Sequence, residues 1–121
     1  MARLMIVDDS IFQRKNLRKM VSLMGWEVVV EASNGREAVE LYPNFKPDLV
    51  LMDLVMPEME GVEAVEKILE MDKEAKIVVV SSLGYDEITS KALSLGARQF
   101  LTKPVDINQM ANVIKSVLEG I

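Results

Sequence analysis

The strongest constraint on this chain is a change of period that repeats along its length. Short runs in which every residue is apolar alternate with longer segments whose apolar residues recur at helical spacing. The runs are Leu4-Met5-Ile6-Val7, Val28-Val29-Val30, Leu49-Val50-Leu51-Met52 and Ile77-Val78-Val79-Val80, with Phe100-Leu101-Thr102 as a weaker fifth. Each has the length of a strand and leads into polar or glycine-containing turns. Apolar residues at consecutive rather than alternate positions indicate strands buried on both faces, as in a parallel sheet covered by helices. The covering segments are legible: Leu17, Met20, Val21 and Met24 fall at i, i+3, i+4, i+7, and so do Met110, Val113, Ile114 and Val117. Ser10-Ile11-Phe12-Gln13 has the form of a capping box, Gly25 follows as a stop, and Asp106 caps the last helix. Further helices are predicted over about Arg36 to Tyr42, Val62 to Glu70 and Asp86 to Ser94.

Five alternating βα units with right-handed crossovers build an α/β fold, a doubly wound (βα)5 parallel sheet with strand order 2-1-3-4-5. The 121 residues, half of them hydrophobic, suffice for one core and not two, so residues 1–121 are expected to form a single domain. The chain has no Cys and no His, which removes disulfides, thiol chemistry, serine-type triads and His- or Cys-based metal sites. With a net charge of -5, a nucleic-acid surface is not expected. The uncharged stretch from Ile77 to Tyr85 is far short of the about 20 apolar residues a membrane span needs, and the start carries no signal-peptide pattern. No membrane contact and a cytoplasmic location are therefore expected.

In a sheet of this order the functional crevice opens at the carboxyl ends of the strands that flank the reversal of direction. Those ends carry Asp8-Asp9 after strand 1, Asp53 at strand 3, Ser81-Ser82 at strand 4 and Lys103-Pro104 after strand 5. Three crowded carboxylates repel one another unless a counter-charge is present. With only oxygen ligands on offer, Mg2+ fits best, with Mn2+ as its substitute, and Asp8 and Asp9 are the residues placed to hold it. A cation and Lys103 together clamp the oxygens of a phosphoryl group, leaving Asp53 as a covalent nucleophile and Ser81 as a hydroxyl donor. Taken singly, each of these residues could be no more than a cap or a turn. Their convergence from four strand ends carries the inference.

The segments I-V-D-D-S at 6–10, D-L-V-L-M-D-L-V-M-P at 48–57 and F-L-T-K-P at 100–104, with Ser81, Asn34-Gly35-Arg36-Glu37-Ala38 and the Met56-Pro57 to Gly61 spacing, resemble the response-regulator receiver domain of two-component signalling. The likeness is to its stand-alone, CheY-like form, which has the flavodoxin-like fold. The resemblance implies that Asp53 accepts the phosphoryl group, that Asp8, Asp9 and Asp53 bind the metal with the backbone carbonyl of Val55, and that Lys103 contacts the phosphate. It implies a cis peptide between Lys103 and Pro104. It also makes Ser81 and Phe100 the switch pair, although the phenylalanine lacks the hydroxyl of the tyrosine found in many members, and Phe100 reads equally well as an ordinary core aromatic.

The donor implied is a separate histidine kinase or phosphotransfer protein. The output surface implied is that of the fourth helix, fifth strand and fifth helix, meeting a protein target: a flagellar motor, an enzyme or a further relay. Because the chain stops at Ile121, just after the fifth helix, output by contact is expected. The only turnover expected is phosphoryl transfer to, and hydrolysis from, its own Asp53. Two rivals share features with this reading. A pseudo-receiver has the fold without phosphoryl turnover, and a haloacid-dehalogenase-type phosphatase uses an aspartate nucleophile but needs a second Asp where this chain has Val55. Nucleotide-binding glycine motifs are absent. Arg14, Lys15, Arg18 and Lys19 form a basic stripe on the first helix that reads mainly as a solvated face. Trp26 should lie far from the strand ends.

Overall fold

The computed structural model describes residues 1–56, 59–82 and 86–120. Pro57 of the Met56-Pro57 pair, Tyr85 and Ile121 lie outside them. The elements run β1 (Arg3–Val7), α1 (Ile11–Leu23), β2 (Glu27–Ala32), α2 (Gly35–Phe45), β3 (Leu49–Asp53), α3 (Gly61–Met71), β4 (Ile77–Ser81), α4 (Glu87–Leu95), β5 (Gln99–Thr102) and α5 (Ile107–Glu119). All pairings are parallel and the strand order is β2-β1-β3-β4-β5, as the alternation of periods predicts.

The sheet separates two apolar layers, and the side-chain alternation of its strands assigns residues to each. Met5, Val7, Val50, Met52, Ile77 and Val79 pack with Ala38 and Tyr42 of α2, Ala64, Val65 and Ile68 of α3 and Ala92 of α4. Leu4, Ile6, Leu49, Leu51, Val78 and Val80 pack with Leu17 and Val21 of α1 and Met110, Ile114 and Val117 of α5. β3 and β4 are buried at every position, and β1 at all but its first, which is what their unbroken apolar runs require. β2 differs: Val28, Val29 and Val30 are only partly buried, because an edge strand is shielded from one side.

Caps set the helix starts. The side chains of Ser10, Asn34, Asp86 and Asp106 each accept from the backbone N–H three residues on. The capping box at α1 is only half formed. Ser10 Oγ accepts from the Gln13 N–H at 3.3 Å, but the Ser10 N–H donates to Asp8 Oδ1 at 2.9 Å and not to the Gln13 side chain. Helix α2 also runs past its expected end at Tyr42, through Pro43 to Phe45. In the last turn a proline forfeits a single hydrogen bond, and Lys46, at φ 45°, closes the helix by donating its N–H to the Tyr42 carbonyl at 2.8 Å.

Tyr42 ties that turn to the rest of the molecule: its hydroxyl donates to Asp72 Oδ2 at 2.8 Å, just beyond α3. Burial, reinforced by the Asp72 hydrogen bond and charge, pushes the phenol well above its ordinary value. Tyr42→Phe should therefore cost about 1–2 kcal/mol, seen as a fall in Tm of roughly 4–8 °C at this chain length. An unchanged Tm would show the bond to be without net value. Among the described residues no helix is long and apolar enough to cross a membrane.

Candidate functional site

The carboxyl ends of β1, β3, β4 and β5 come together at one end of the sheet, and four of the residues singled out in the sequence meet there. Asp8 (1% exposed) and Asp53 (6% exposed) are buried, whereas Asp9 is exposed. One carboxylate oxygen from each of the three lies within 4.8 Å of the others. Lys103 Nζ stands 3.0 Å from Asp8 Oδ2 and 3.4 Å from Asp53 Oδ2. Trp26 precedes β2 at the opposite end of the sheet, against the α1/α5 layer.

Local structure holds each group. The Asp8 N–H donates to the Ala32 carbonyl at 3.1 Å, just beyond the β1–β2 ladder, and Asp8 Oδ1 accepts from the Ser10 N–H. Asp53 is the last residue of β3, and its Oδ1 accepts from the Val55 N–H at 3.4 Å. The Lys103 N–H donates to the Ser81 carbonyl at 2.9 Å, and the bond from Lys103 to Pro104 is cis. Ser81 is buried at the end of β4, paired across the ladder with Thr102. Phe100 lies on β5 opposite Val79, partly buried against the α2/α3/α4 layer. The Val55 side chain is exposed, at 57%.

The electrostatics follow from this crowding. Burial, then the neighbouring charge of Asp8, raises the Asp53 carboxyl above the ordinary aspartate value, with Lys103 and the Val55 N–H opposing. For Lys103 burial acts downward, but the hydrogen bond it donates to Asp8 and the charges of Asp53 and Asp8 prevail and raise it. The ammonium is thus held charged, and it offsets one of three carboxylates. The remaining negative charge, presented by oxygens only and open to solvent through Asp9, suits a hard divalent cation that keeps several waters.

Two features of the site are not legible as such in the sequence. Gly61, at the start of α3, donates its N–H to the Leu54 carbonyl at 3.1 Å, and a Cβ there would strike the Asp53 carbonyl oxygen and come within 2.6 Å of Leu54 Cα. Gly35, at the start of α2, is pressed in the same way against the Met59 carbonyl, to which it donates at 3.1 Å. The sequence marks both positions as members of the Asn34–Ala38 and Met56–Gly61 motifs, without showing what they pack against. Arg14 is the other: half of the basic stripe turns out to be paired internally, with Arg14 Nε 3.2 Å and Arg18 Nη1 2.8 Å from the Glu31 carboxylate. Arg14 further donates from Nη1 to the Asp8 backbone carbonyl at 2.6 Å. Helical side chains lean toward the N-terminus, so an arginine in the first turn of α1, six residues after Asp8, was the available signal.

Comparison with known proteins bears on the family and the fold. The sequence profile of the response regulator receiver domain family matches residues 4–115. Chemotaxis protein CheY of Thermotoga maritima is 42% identical over 115 residues, spanning 95% of this chain and 96% of that protein. CheY of Treponema pallidum is 44% identical over 119 residues, spanning 97% and 83%. Among solved structures, the complex of CheX and CheY with BeF3 and Mg2+ from Borrelia burgdorferi contains a chain superposing at TM-score 0.92 with 34% identity, covering 96% of this chain and 88% of that one.

Proposed function

Because this chain belongs to the response regulator receiver domain family, we propose that residues 1–121 act as one phosphorylatable switch, in which Asp53 accepts a phosphoryl group from the phosphohistidine of a separate kinase or phosphotransfer protein. The observation that carries the proposal is the grouping of Asp53, Asp8 and Asp9 with Lys103 in hydrogen-bonding contact. A pseudo-receiver would not need this set of charges to be kept intact.

In the proposed reaction an Asp53 carboxylate oxygen attacks phosphorus in line with the bond to the donor. That bond breaks, its electron pair stays with the donor nitrogen, and an acyl phosphate forms on Asp53. Lys103, already held between Asp8 and Asp53, is placed to neutralise a phosphoryl oxygen without reorganising. Ser81, buried at the end of β4, is the proposed hydroxyl contact to the phosphoryl group. Asp8, Asp9 and Asp53 with the Val55 carbonyl are the residues proposed to hold Mg2+, or Mn2+ in its place; the cation when bound supplies charge neutralisation at the transferring oxygens. Ser81 and Phe100, on adjacent strands, are the proposed link to the α4/β5/α5 face that meets a protein target. In the Borrelia burgdorferi complex the CheY chain is accompanied by CheX, and a protein partner of comparable kind is proposed for this chain.

The direct test is incubation with Mg2+ and acetyl phosphate followed by intact-mass measurement. One added phosphoryl group, removed by a chelator control, is the expected result; no addition with fold and Mg2+ binding intact would favour the pseudo-receiver. Mg2+ alone should also raise Tm, by about 1.4 kcal/mol of added stability at ten times its Kd, or roughly 5 °C. Asp9→Ala should remove most of that response, because Asp9 is the exposed carboxylate of the three and little in the metal-free fold depends on it. An undiminished Mg2+ response in that variant would remove Asp9 from the site.

A further inference from the structure

Arg14 is not used by the phosphoryl chemistry, yet it reaches the acidic cluster through the backbone. The Asp8 carbonyl lies past the last paired residue of β1, Val7, so no strand partner fixes it. It accepts instead from Arg14 Nη1 at 2.6 Å, while the same guanidinium is gripped through Nε by Glu31 of β2, itself also held by Arg18. Arg14 is 16% exposed and Glu31 24%, against 50% for Arg18. The carbonyl that Arg14 holds belongs to the peptide linking Asp8 to Asp9, and the N–H on the other side of Asp8 is tied to Ala32. Rotation of that peptide would swing the exposed Asp9 carboxylate away from Asp8 and Asp53.

We propose that Arg14 is a positioning residue for the cation site: by fixing the Asp8–Asp9 peptide, with Glu31 orienting its guanidinium, it sets the direction in which Asp9 is presented. This role rests on reading the three aspartates as a cation site. It has a signature opposite in sign to simple electrostatics. A positive charge near a cation site opposes cation binding, so an Arg14 acting only through its field would, on removal, tighten Mg2+. A positioning Arg14 would, on removal, weaken it, as loss of a group that orients metal ligands does, by about tenfold or more.

The experiment is titration with Mg2+ alone, following the Asp9 backbone amide resonance, for the wild type, Arg14→Gln, Arg14→Lys and Arg18→Gln. Arg18→Gln removes the same charge from the same helix and also breaks a contact with Glu31, but does not touch Asp8. The expected result is a Kd raised about tenfold in Arg14→Gln, raised by a smaller factor in Arg14→Lys, and unchanged or lowered in Arg18→Gln. A merely structural role would lower the metal-free Tm while leaving the Mg2+ midpoint in place. Wild-type affinity or tighter in Arg14→Gln overturns the proposal. Should that variant fail to fold, Arg14→Lys decides, because it keeps the charge but cannot fork to both Asp8 and Glu31, and an unchanged Kd there overturns the proposal as well. A wild-type chain that shows no saturable Mg2+ response would overturn the cation site itself and this role with it, a result separable from the others because it appears before any substitution.

Discussion

Asp53→Asn is expected to reduce phosphoryl uptake from one group per chain to none, and at neutral pH to yield a protein that melts at a higher temperature than the wild type. The first effect follows from chemistry: an amide oxygen is too weak a nucleophile to form the acyl phosphate. The second follows from the environment of the carboxylate. Burial and the Asp8 charge raise the folded-state value of Asp53 above that of an unfolded aspartate, about 3.9. Folding therefore favours the protonated form, and the stability Asp53 contributes is present below the unfolded value and lost as pH rises through the folded one. The asparagine variant loses nothing over that window. The two proteins should melt alike near about pH 3, and the variant should gain a lead that opens through the folded value of Asp53 and then levels. A melting series against pH, with Mg2+ absent, checks this. A lead that closes as pH rises would mean that Lys103 outweighs burial and repulsion, and that the carboxylate is net stabilised in the fold. Retained uptake would move the acceptor to another residue.

Gly61→Ala is expected to be the most damaging single-methyl change near the site. The added carbon would meet the Asp53 carbonyl oxygen and Leu54 Cα, both backbone atoms, so no side chain can swing aside to admit it. Relief requires the β3–α3 connection to move, and Val55, which donates to Asp53 and is proposed to offer its carbonyl to the cation, lies in that connection. Stability should fall by about 1–3 kcal/mol, the cost of overpacking a filled position, and Mg2+ affinity should fall with it. Gly25→Ala is the informative comparison. Gly25 sits at φ 84° with nothing within 4 Å of an added Cβ, so the variant incurs backbone strain of about 1–2 kcal/mol while the site is untouched. Comparable losses of Tm, with Mg2+ affinity lost only in Gly61→Ala, are the expected pattern. Equal Mg2+ affinity in both variants would show that the connection can shift without disturbing the site.

The apolar runs of β1, β3 and β4 were legible because a central parallel strand is buried on both faces, and burial leaves an unbroken composition that no surface strand needs. The same logic misjudged β2, whose three valines look like a buried strand but lie at an edge, since composition records what a strand tolerates and not which neighbours it has. The sequence pattern places helix α2 over about Arg36 to Tyr42, whereas the helix runs to Phe45. The turn continues because Tyr42 is anchored to Asp72, a contact between residues distant in sequence, and because Lys46 adopts the left-handed conformation that closes it; apolar spacing records neither. The capping box at Ser10 fared similarly: its pattern was present, but the Ser10 N–H has a closer use in the Asp8 carboxylate.

What the sequence by itself determined is the set of residues delivered to one end of the sheet. Alternating periods dictate parallel strands, parallel strands all end on the same side, and so Asp8, Asp9, Asp53, Ser81 and Lys103 had to arrive together. What only the tertiary structure decided is how they are held: Lys103 between two buried carboxylates, Gly61 against the Asp53 backbone, and Arg14 on the carbonyl between the aspartate pair. These are contacts of a few ångströms between segments up to 95 residues apart, and they depend on helix rotation, strand register and side-chain reach. A one-dimensional pattern does not specify these quantities, because many rotations and rotamers share the same periodicity, and close packing selects one of them.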